Sequence, residues 1–324
     1  MIPLNDLSRG ETILNGCYLN GPYTERFERD FGEYLGTDFV AVGNGSDALE
    51  IALRCLDIGI GHKVAIAPNA GMYGTLAILN VGATPVFVDV DPETLCISGH
   101  EDCDAAIVTH LYGQPIDYKA DCKIIEDCSH AHGASINGRK VGTLGDIGIF
   151  SFYPTKNLGA YGNGGGISGK YARKAKALSQ YGWGEKYHVE YEHGRHSQID
   201  EFQAKVLCDK LSSLDERNKK RQSIRAYYES SFGHKIEFVG YEDSVVHLCV
   251  IQVDYREELR IKLHAKGIMT DIHYPVLDYH QKPVSNAYCP IAEMAVKRIL
   301  SIPCFPDMTD NEIEYVATTF SAIC

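Results

Sequence analysis

Between residues 39 and 168, short apolar runs recur at intervals: Phe39–Val42, Val64–Ala67, Pro85–Val90, Ala105–His110, Lys123–Glu126, Ile147–Tyr153 and Gly164–Ser168. Each is too short for a core helix, and most are apolar throughout rather than alternating, which predicts strands buried on both faces. Helical spacing fills several of the gaps, with Leu49, Ala52, Leu53 and Leu56 on one stripe and further helices through Leu76–Leu79 and Tyr171–Leu178. Strands that alternate with helices in this way predict an α/β fold, a mostly parallel sheet sandwiched by helices. In such sheets ligands sit beyond the carboxyl ends of the strands, so chemistry is sought there.

The flanking segments extend this plan. Residues 2–23 carry Asn15, Gly16, Asn20, Gly21 and Pro22 and read as an extended arm ending in a turn. From Thr24 a helix with Phe27, Phe31, Tyr34 and Leu35 on one face should stop at Gly36. One long helix is expected from Ile199 to about Phe232, its middle, Arg217 to Arg221, a solvated face. Beyond it come a strand over Val245–Val253, helices near Glu257–Lys266 and Glu293–Leu300, and a last helix opened by a Thr309/Glu312 capping box. The expected division is an arm and large domain over 1–198, a linking helix over 199–234 and a small α/β domain over 235–324, within reach of a 324-residue chain that is 44% hydrophobic.

A net charge of −12 without a basic block argues against nucleic acid and leaves small metabolites as ligands. The first residues lack the pattern of a secretory signal, and no apolar run reaches membrane-spanning length, so a soluble cytoplasmic protein is expected. The eleven cysteines are dispersed with no C-x-x-C pair, which suggests neither zinc nor a disulfide framework; Cys128 alone is expected beside the site.

Three strand ends carry candidate chemistry. Lys156, in Ser151-Phe-Tyr-Pro-Thr-Lys-Asn-Leu-Gly-Ala-Tyr-Gly, follows an apolar strand and precedes a glycine-rich run that lets a bulky ligand approach the backbone. It either caps a loop or, partly desolvated, serves as the amine that forms a Schiff base with pyridoxal phosphate. Gly43-Asn-Gly45-Ser46-Asp-Ala joins a strand to a helix N-terminus, a ready cradle for phosphate, although Ser46 could equally be an N-cap. Asp127 ends the strand Lys123–Glu126 and could keep a pyridine nitrogen protonated. His130 and His132 lack a third ligand at useful spacing, so no metal is expected.

Two competing motifs fail on one residue each. Gly43-x-Gly45-x-x-Ala48 fits a dinucleotide fingerprint, but Pro68 and Asn69 stand where a dehydrogenase needs its carboxylate. Gly164 to Lys170 has the spacing of a P-loop, but Tyr171 replaces the magnesium-binding Ser or Thr. A non-catalytic binding protein would leave the lysine, aspartate and phosphate turn without a common reason.

With these motifs and Gly82-Ala-Thr-Pro-Val-Phe-Val-Asp89, from Pro3 to Thr319, the chain resembles the DegT/DnrJ/StrS-type sugar aminotransferases, a pyridoxal-phosphate family of the aspartate aminotransferase fold. The resemblance implies Lys156 as the Schiff-base residue, Asp127 on the pyridine nitrogen, and Gly45, Ser46 and Ser151 around the phosphate. It implies His130, where relatives often have Gln, near the ring hydroxyl. Either Met72 or Tyr73 is implied over the ring, and His273 and Tyr274 on the substrate side. His196 and Gln198 stand where the family usually has Asn and Arg; that Asn reaches the partner's phosphate, so His196 either replaces it or the contact is lost. The implied partners are a second copy in a homodimer with shared sites, an amino-acid donor such as L-glutamate, and a nucleotide-linked keto-sugar, with pyridoxamine phosphate as the cofactor's other form. A dTDP-linked 3-keto-6-deoxyhexose is the expected acceptor and a 4-keto sugar the alternative. The amino-terminal arm looks shorter than is usual in the family. Related dehydratases carry His at the Schiff-base position, and Lys156 points away from them.

Overall fold

In the computed structural model, which describes residues 17–99, 101–233, 236–282, 284 and 287–323, every one of the seven expected apolar runs contains a strand of one sheet. In chain order, α1 (Pro22–Leu35), β1 (Phe39–Val42), α2 (Gly45–Cys55), β2 (Lys63–Ile66), α3 (Tyr73–Asn80), β3 (Thr84–Phe87), β4 (Ala105–Thr109) and β5 (Lys123–Asp127) come first. A two-residue hairpin, β6 (Ser135–Ile136) and β7 (Arg139–Lys140), precedes β8 (Ile147–Ser151), β9 (Gly165–Ser168) and α4 (Ala172–Leu178). The hairpin β10 (Trp183–Glu185) and β11 (His188–Val189) leads to α5 (Glu201–Leu211) and α6 (Leu214–Phe232). The rest is β12 (Glu237–Phe238), β13 (Cys249–Gln252), α7 (Arg256–Ala265), α8 (Pro290–Arg298), β14 (Ile299–Ile302) and α9 (Asp310–Ile323).

The large sheet has the order β1-β9-β8-β5-β4-β2-β3. Its run from β8 to β3 is parallel, and β9 lies antiparallel to both β8 and β1. Thr109, Asp127 and Ser151 are the last residues of β4, β5 and β8, so the parallel pairing brings them to one edge. Period-two alternation along β8 sends Ile147 and Ile149 into the core under α2, while Phe150, with Phe152 just beyond, joins Phe27, Phe31 and Phe39 on the other face. A separate antiparallel sheet, β12-β13-β14, is covered by the apolar faces of α6, α7 and α9.

Several boundaries differ from expectation. The run 199–232 is two helices that break at Ser212–Ser213 rather than one. Its middle is not all solvated: Asn218, Arg221 and Arg225 are buried with Leu214, Ile224, Tyr228 and Phe232 on the inner stripe of α6. The strand expected over Val245–Val253 shortens to Cys249–Gln252, and Ile299–Leu300 belong to β14 rather than to the preceding helix. Asn44, not Ser46, caps α2, its Oδ1 accepting from the Asp47 N–H at 2.8 Å. The capping box at α9 forms as expected, with Thr309 N–H donating to Glu312 Oε2 at 2.8 Å. Most of the amino-terminal arm lies outside the described residues.

α1 shows how distant chain closes a local gap. Its N-cap is Gly21, which offers no side-chain acceptor. The buried Glu201 carboxylate, from the first residue of α5, accepts the N–H groups of Gly21, Tyr23 and Thr24 at 3.0, 2.9 and 2.8 Å and the Thr24 hydroxyl at 2.5 Å. Removing it strands these donors in the core. Glu201→Ala should therefore destabilise the fold by on the order of 3 kcal/mol, read from the urea midpoint at unchanged slope, and Glu201→Gln, which keeps the acceptor Oε1, by clearly less.

Candidate active site

A cleft of about 770 Å³ opens at the carboxyl edge of the large sheet. Thr109, Asp127, Ser151 and Lys156 line it from the sheet side, with Gly45 and Ser46 at the N-terminus of α2. Its outer wall combines Tyr73, His273, Tyr274 and Phe305. Of its lining residues, Asp127 is the only carboxylate, against the two cations Lys156 and Arg221. In a chain of net charge −12, this edge favours an anionic ligand.

Lys156 sits half-buried at the end of a tight turn after β8, its N–H donating to the Tyr153 carbonyl at 2.9 Å. Burial pulls its ammonium down to about 8, opposed by the negative charge of Asp127. At neutral pH about a tenth of such an amine is unprotonated, against roughly one in a few thousand for an ordinary lysine. Asp127 is buried with Oδ1 accepting from the Ser129 N–H at 3.0 Å. The neighbouring Glu126 points to the opposite face, as strand alternation requires. There it accepts from Gly142, Leu144 and Gly145 N–H groups at 2.8, 2.6 and 2.7 Å and pairs with His110 Nε2 at 3.1 Å. Burial would raise this carboxyl, but the His110 contact and the backbone donors hold it below its usual value. The buried group His110, Glu126 and Cys128 is close enough to suggest a metal. His110 Nδ1 already accepts from Ile116 N–H at 3.2 Å and the carboxylate oxygens are filled, so of the three only the Cys128 sulfur keeps a free lone pair, one ligand where an ion needs several.

His130 is buried and neutral, held well below its usual value by burial and by Lys156, His273 and His132. Its Nδ1 accepts from Tyr112 N–H at 3.2 Å, which assigns the proton to Nε2, 3.5 Å from the Tyr274 hydroxyl. A neutral donor therefore faces the cleft. His132 does not reach it; its ring packs on Phe150 and Phe152. Cys128, expected beside the site, is buried among Phe27, Phe31 and Phe150 and does not line the cleft.

The glycine-rich run after Lys156 has another use than ligand approach. A Cβ on Gly165 would lie 2.3 Å from the Asn44 carbonyl carbon, and one on Gly166 would lie 2.0 Å from the Phe39 ring. These glycines let β9 press against β1 and the Asn44–Gly45 turn. Gly45 in turn touches Ser151, whose Cβ would sit 2.8 Å from an added Cβ. The α2 N-terminus and the β8 end thereby form one concave rim with bare N–H groups, the shape and polarity that a phosphate needs.

Of Met72 and Tyr73, only Tyr73 lines the cleft; Met72 is buried with its side chain off the lining. His196 is exposed outside the cleft, its ring stacked on Tyr181 at 5.5 Å. Two residues that sequence reasoning left out of the site, His247 and Arg221, line the cleft. His247, buried, lies 4.4 Å from His130 ring to ring and bonds Asn157 Oδ1 through Nδ1 at 3.1 Å. Asn157 ties this edge to Asn218 at 2.8 Å, and Arg221 donates to the Cys304 carbonyl at 2.7 Å. The spacing of Asn218 and Arg221 with the apolar residues of α6 was the available signal.

A half-buried amine of lowered pKa, a carboxylate at the next strand end and a rim of the shape that suits phosphate make an arrangement in which an amine could hold a phosphorylated carbonyl compound. Comparisons with known proteins give the family. The DegT/DnrJ/EryC1/StrS aminotransferase family model matches residues 7–321, and the chain belongs to that family. It is 38% identical to a UDP-N-acetyl-3-dehydro-alpha-D-glucosamine 3-aminotransferase of Acidithiobacillus ferrooxidans, over 86% of this chain and 82% of that one. It is also 38% identical to the dTDP-3-amino-3,6-dideoxy-alpha-D-galactopyranose transaminase of Aneurinibacillus thermoaerophilus, over 93% and 90%. The crystal structure of NtdA from Bacillus subtilis with bound cofactor PMP superposes with a TM-score of 0.88 at 27% identity, covering 97% of this chain and 79% of that one. The protein is an aminotransferase, and the cofactor of its family is pyridoxal phosphate.

Because Lys156 titrates near 8 while Asp127 opposes its neutralisation, capture of added pyridoxal phosphate, trapped with borohydride, should rise with pH and level off above about pH 8. In Asp127→Asn the opposing charge is gone, and the midpoint should move to lower pH.

Proposed function

We propose that this chain transfers the amino group of an amino acid, L-glutamate by preference, to carbon three of a nucleotide-linked keto-sugar, a dTDP-linked 6-deoxyhexose. The observation that carries the reading is the Lys156 amine, lowered to about 8 at a strand end beside Asp127 and the Gly45–Ser151 rim. The relatives' names support carbon three, since one acts as a 3-aminotransferase on a UDP-linked 3-dehydro sugar and another as a dTDP-3-amino-3,6-dideoxy-galactopyranose transaminase. The cleft fits nucleotide-linked substrates in its surplus of cations over carboxylates.

When bound, pyridoxal phosphate supplies an electron sink that stabilises negative charge at the carbon bearing the amine. Lys156 Nζ would be the amine that holds its carbonyl carbon and, once freed by the donor amine, would serve as the base that takes the proton from the donor's α-carbon. Asp127 would hold a proton on the ring nitrogen, and His130 Nε2–H would donate to the ring hydroxyl. The Gly45 and Ser46 backbone and the Ser46 and Ser151 hydroxyls would hold the phosphate, and Tyr73, which lines the cleft where Met72 does not, would pack over the ring. His273 and Tyr274 close the substrate side.

The same reading includes a cytoplasmic homodimer with shared sites. Tyr181, Tyr187 and Val189, on and around the β10–β11 hairpin, are 47, 73 and 65% exposed, an apolar surface suited to a second copy. His196, stacked on Tyr181, would then face the partner's phosphate rim. It further divides the chain into a large domain to residue 198, a linking pair of helices to 234 and a small domain beyond.

Three measurements test this. Lys156→Ala should lower amino transfer by about 10²–10⁴-fold or more and abolish the borohydride-trapped adduct. Single-turnover mixing of the loaded protein with L-glutamate should shift its visible absorbance, and a dTDP-linked 3-keto sugar should restore it faster than a 4-keto or UDP-linked one; no shift with any amino acid overturns the reading. Sedimentation should give about twice 35.9 kDa, and a monomer would remove His196 from the site.

A further inference from the structure

Tyr73 and Tyr274 meet edge to face at the cleft, 6.2 Å apart and inclined at 76°. Tyr73 is 53% exposed, and Tyr274 is half-buried with one side against the core. Tyr73 opens α3 straight after Met72, which has a left-handed backbone, φ 70°, and gives the helix no side-chain cap. A turn of this shape on a non-glycine residue persists only if its surroundings hold it.

The holder is Asp278, distant in sequence and 1% exposed. Its Oδ1 accepts from Met72 N–H at 2.9 Å, its Oδ2 from the Thr75 hydroxyl at 2.5 Å, and its own N–H donates to the Pro68 carbonyl at 2.7 Å. Asp278 lies four residues after Tyr274. On the other side of Tyr274, the Tyr112 hydroxyl donates to the His273 carbonyl. The two strips of chain already touch, because a Cβ on Gly71 would lie 3.0 Å from Tyr274 Cδ1.

We infer that Asp278 is a positioning residue: it clamps the turn 68–75 to the segment 273–278 and so sets the spacing of Tyr73 and Tyr274 across the mouth of the cleft. It does not line the cleft and acts through the two tyrosines. The clamp stands on the bonds above; only its consequence for ligand binding rests on the proposed function. An ordinary stabilising bond would loosen the whole molecule when cut, whereas the clamp loosens two short segments and the ligand together.

The test uses Asp278→Ala, Asp278→Asn and Thr75→Val, with hydrogen exchange read by mass spectrometry and pyridoxal phosphate affinity read by visible absorbance. Asp278→Ala should speed exchange within 68–76 and 272–277 while the large sheet keeps its protection, and should weaken pyridoxal phosphate binding roughly tenfold. Asp278→Asn should restore both, since its Oδ1 still accepts from Met72 and its Nδ2 donates to the Thr75 oxygen. Thr75→Val keeps the Met72 bond and should fall between; with Asp278→Asn it carries the test if Asp278→Ala does not fold. Unchanged exchange in the two segments of Asp278→Ala, or a well-folded Asp278→Asn that fails to recover binding, overturns the clamp. Should the unaltered protein fail to bind pyridoxal phosphate, the functional reading falls and the exchange data alone decide the clamp.

Discussion

The opposition of one carboxylate and one ammonium at neighbouring strand ends sets the character of the cleft. Burial alone would push Lys156 further toward its neutral form, and the Asp127 charge limits that shift, leaving the amine near 8. The balance works because both groups are partly removed from water, where charges interact several-fold more strongly than in solvent. An exposed pair in the same positions would be screened and the lysine would not be tuned.

That balance depends on rigid strand ends, and the adjacent residue provides one reason they are rigid. Glu126 and Asp127 are consecutive, so the pleat sends them to opposite faces. Asp127 reaches the cleft, while Glu126 gathers three backbone N–H groups of the 142–145 loop and His110 at the end of β4. One carboxylate therefore ties together β4, β5 and the approach to β8, the strands whose last residues line the site. On the far side of β8 the packed rings of Phe27, Phe31, Phe39, Phe150 and Phe152 hold the strand that leads to Lys156. The chemistry at the rim is thus supported from beneath by a charge network and by an aromatic core.

Much of this could be read from residue order. The strands were legible because burial on both faces leaves continuous apolar runs, and Lys156, Asp127 and Gly45–Ser46 were legible because each lies at or within a short turn of the end of one. The break in the 199–232 helix was not, since Ser212 and Ser213 interrupt the stripe too weakly to outweigh its periodicity. Arg221 and Asn218 were misread for the opposite reason: charge near a helix middle suggests solvent, and only their register with Leu214 and Ile224 betrays the inner face. The choice between Met72 and Tyr73 turned on one left-handed residue, which local propensity does not favour at a methionine.

By itself the sequence determined the sheet, the family and the three groups proposed to carry the chemistry, because strand burial, helix N-termini and strand ends are local properties of consecutive residues. Only the tertiary structure decided which side chains share the cleft. His247, Arg221 and Tyr274 reach the cleft from distant parts of the chain, Asp278 holds the Met72 turn from outside it, and Glu201 caps a helix that begins far before it. Such contacts follow from how finished elements pack, a matter of shape and unpaired polar groups across the whole molecule that no short window of residues contains.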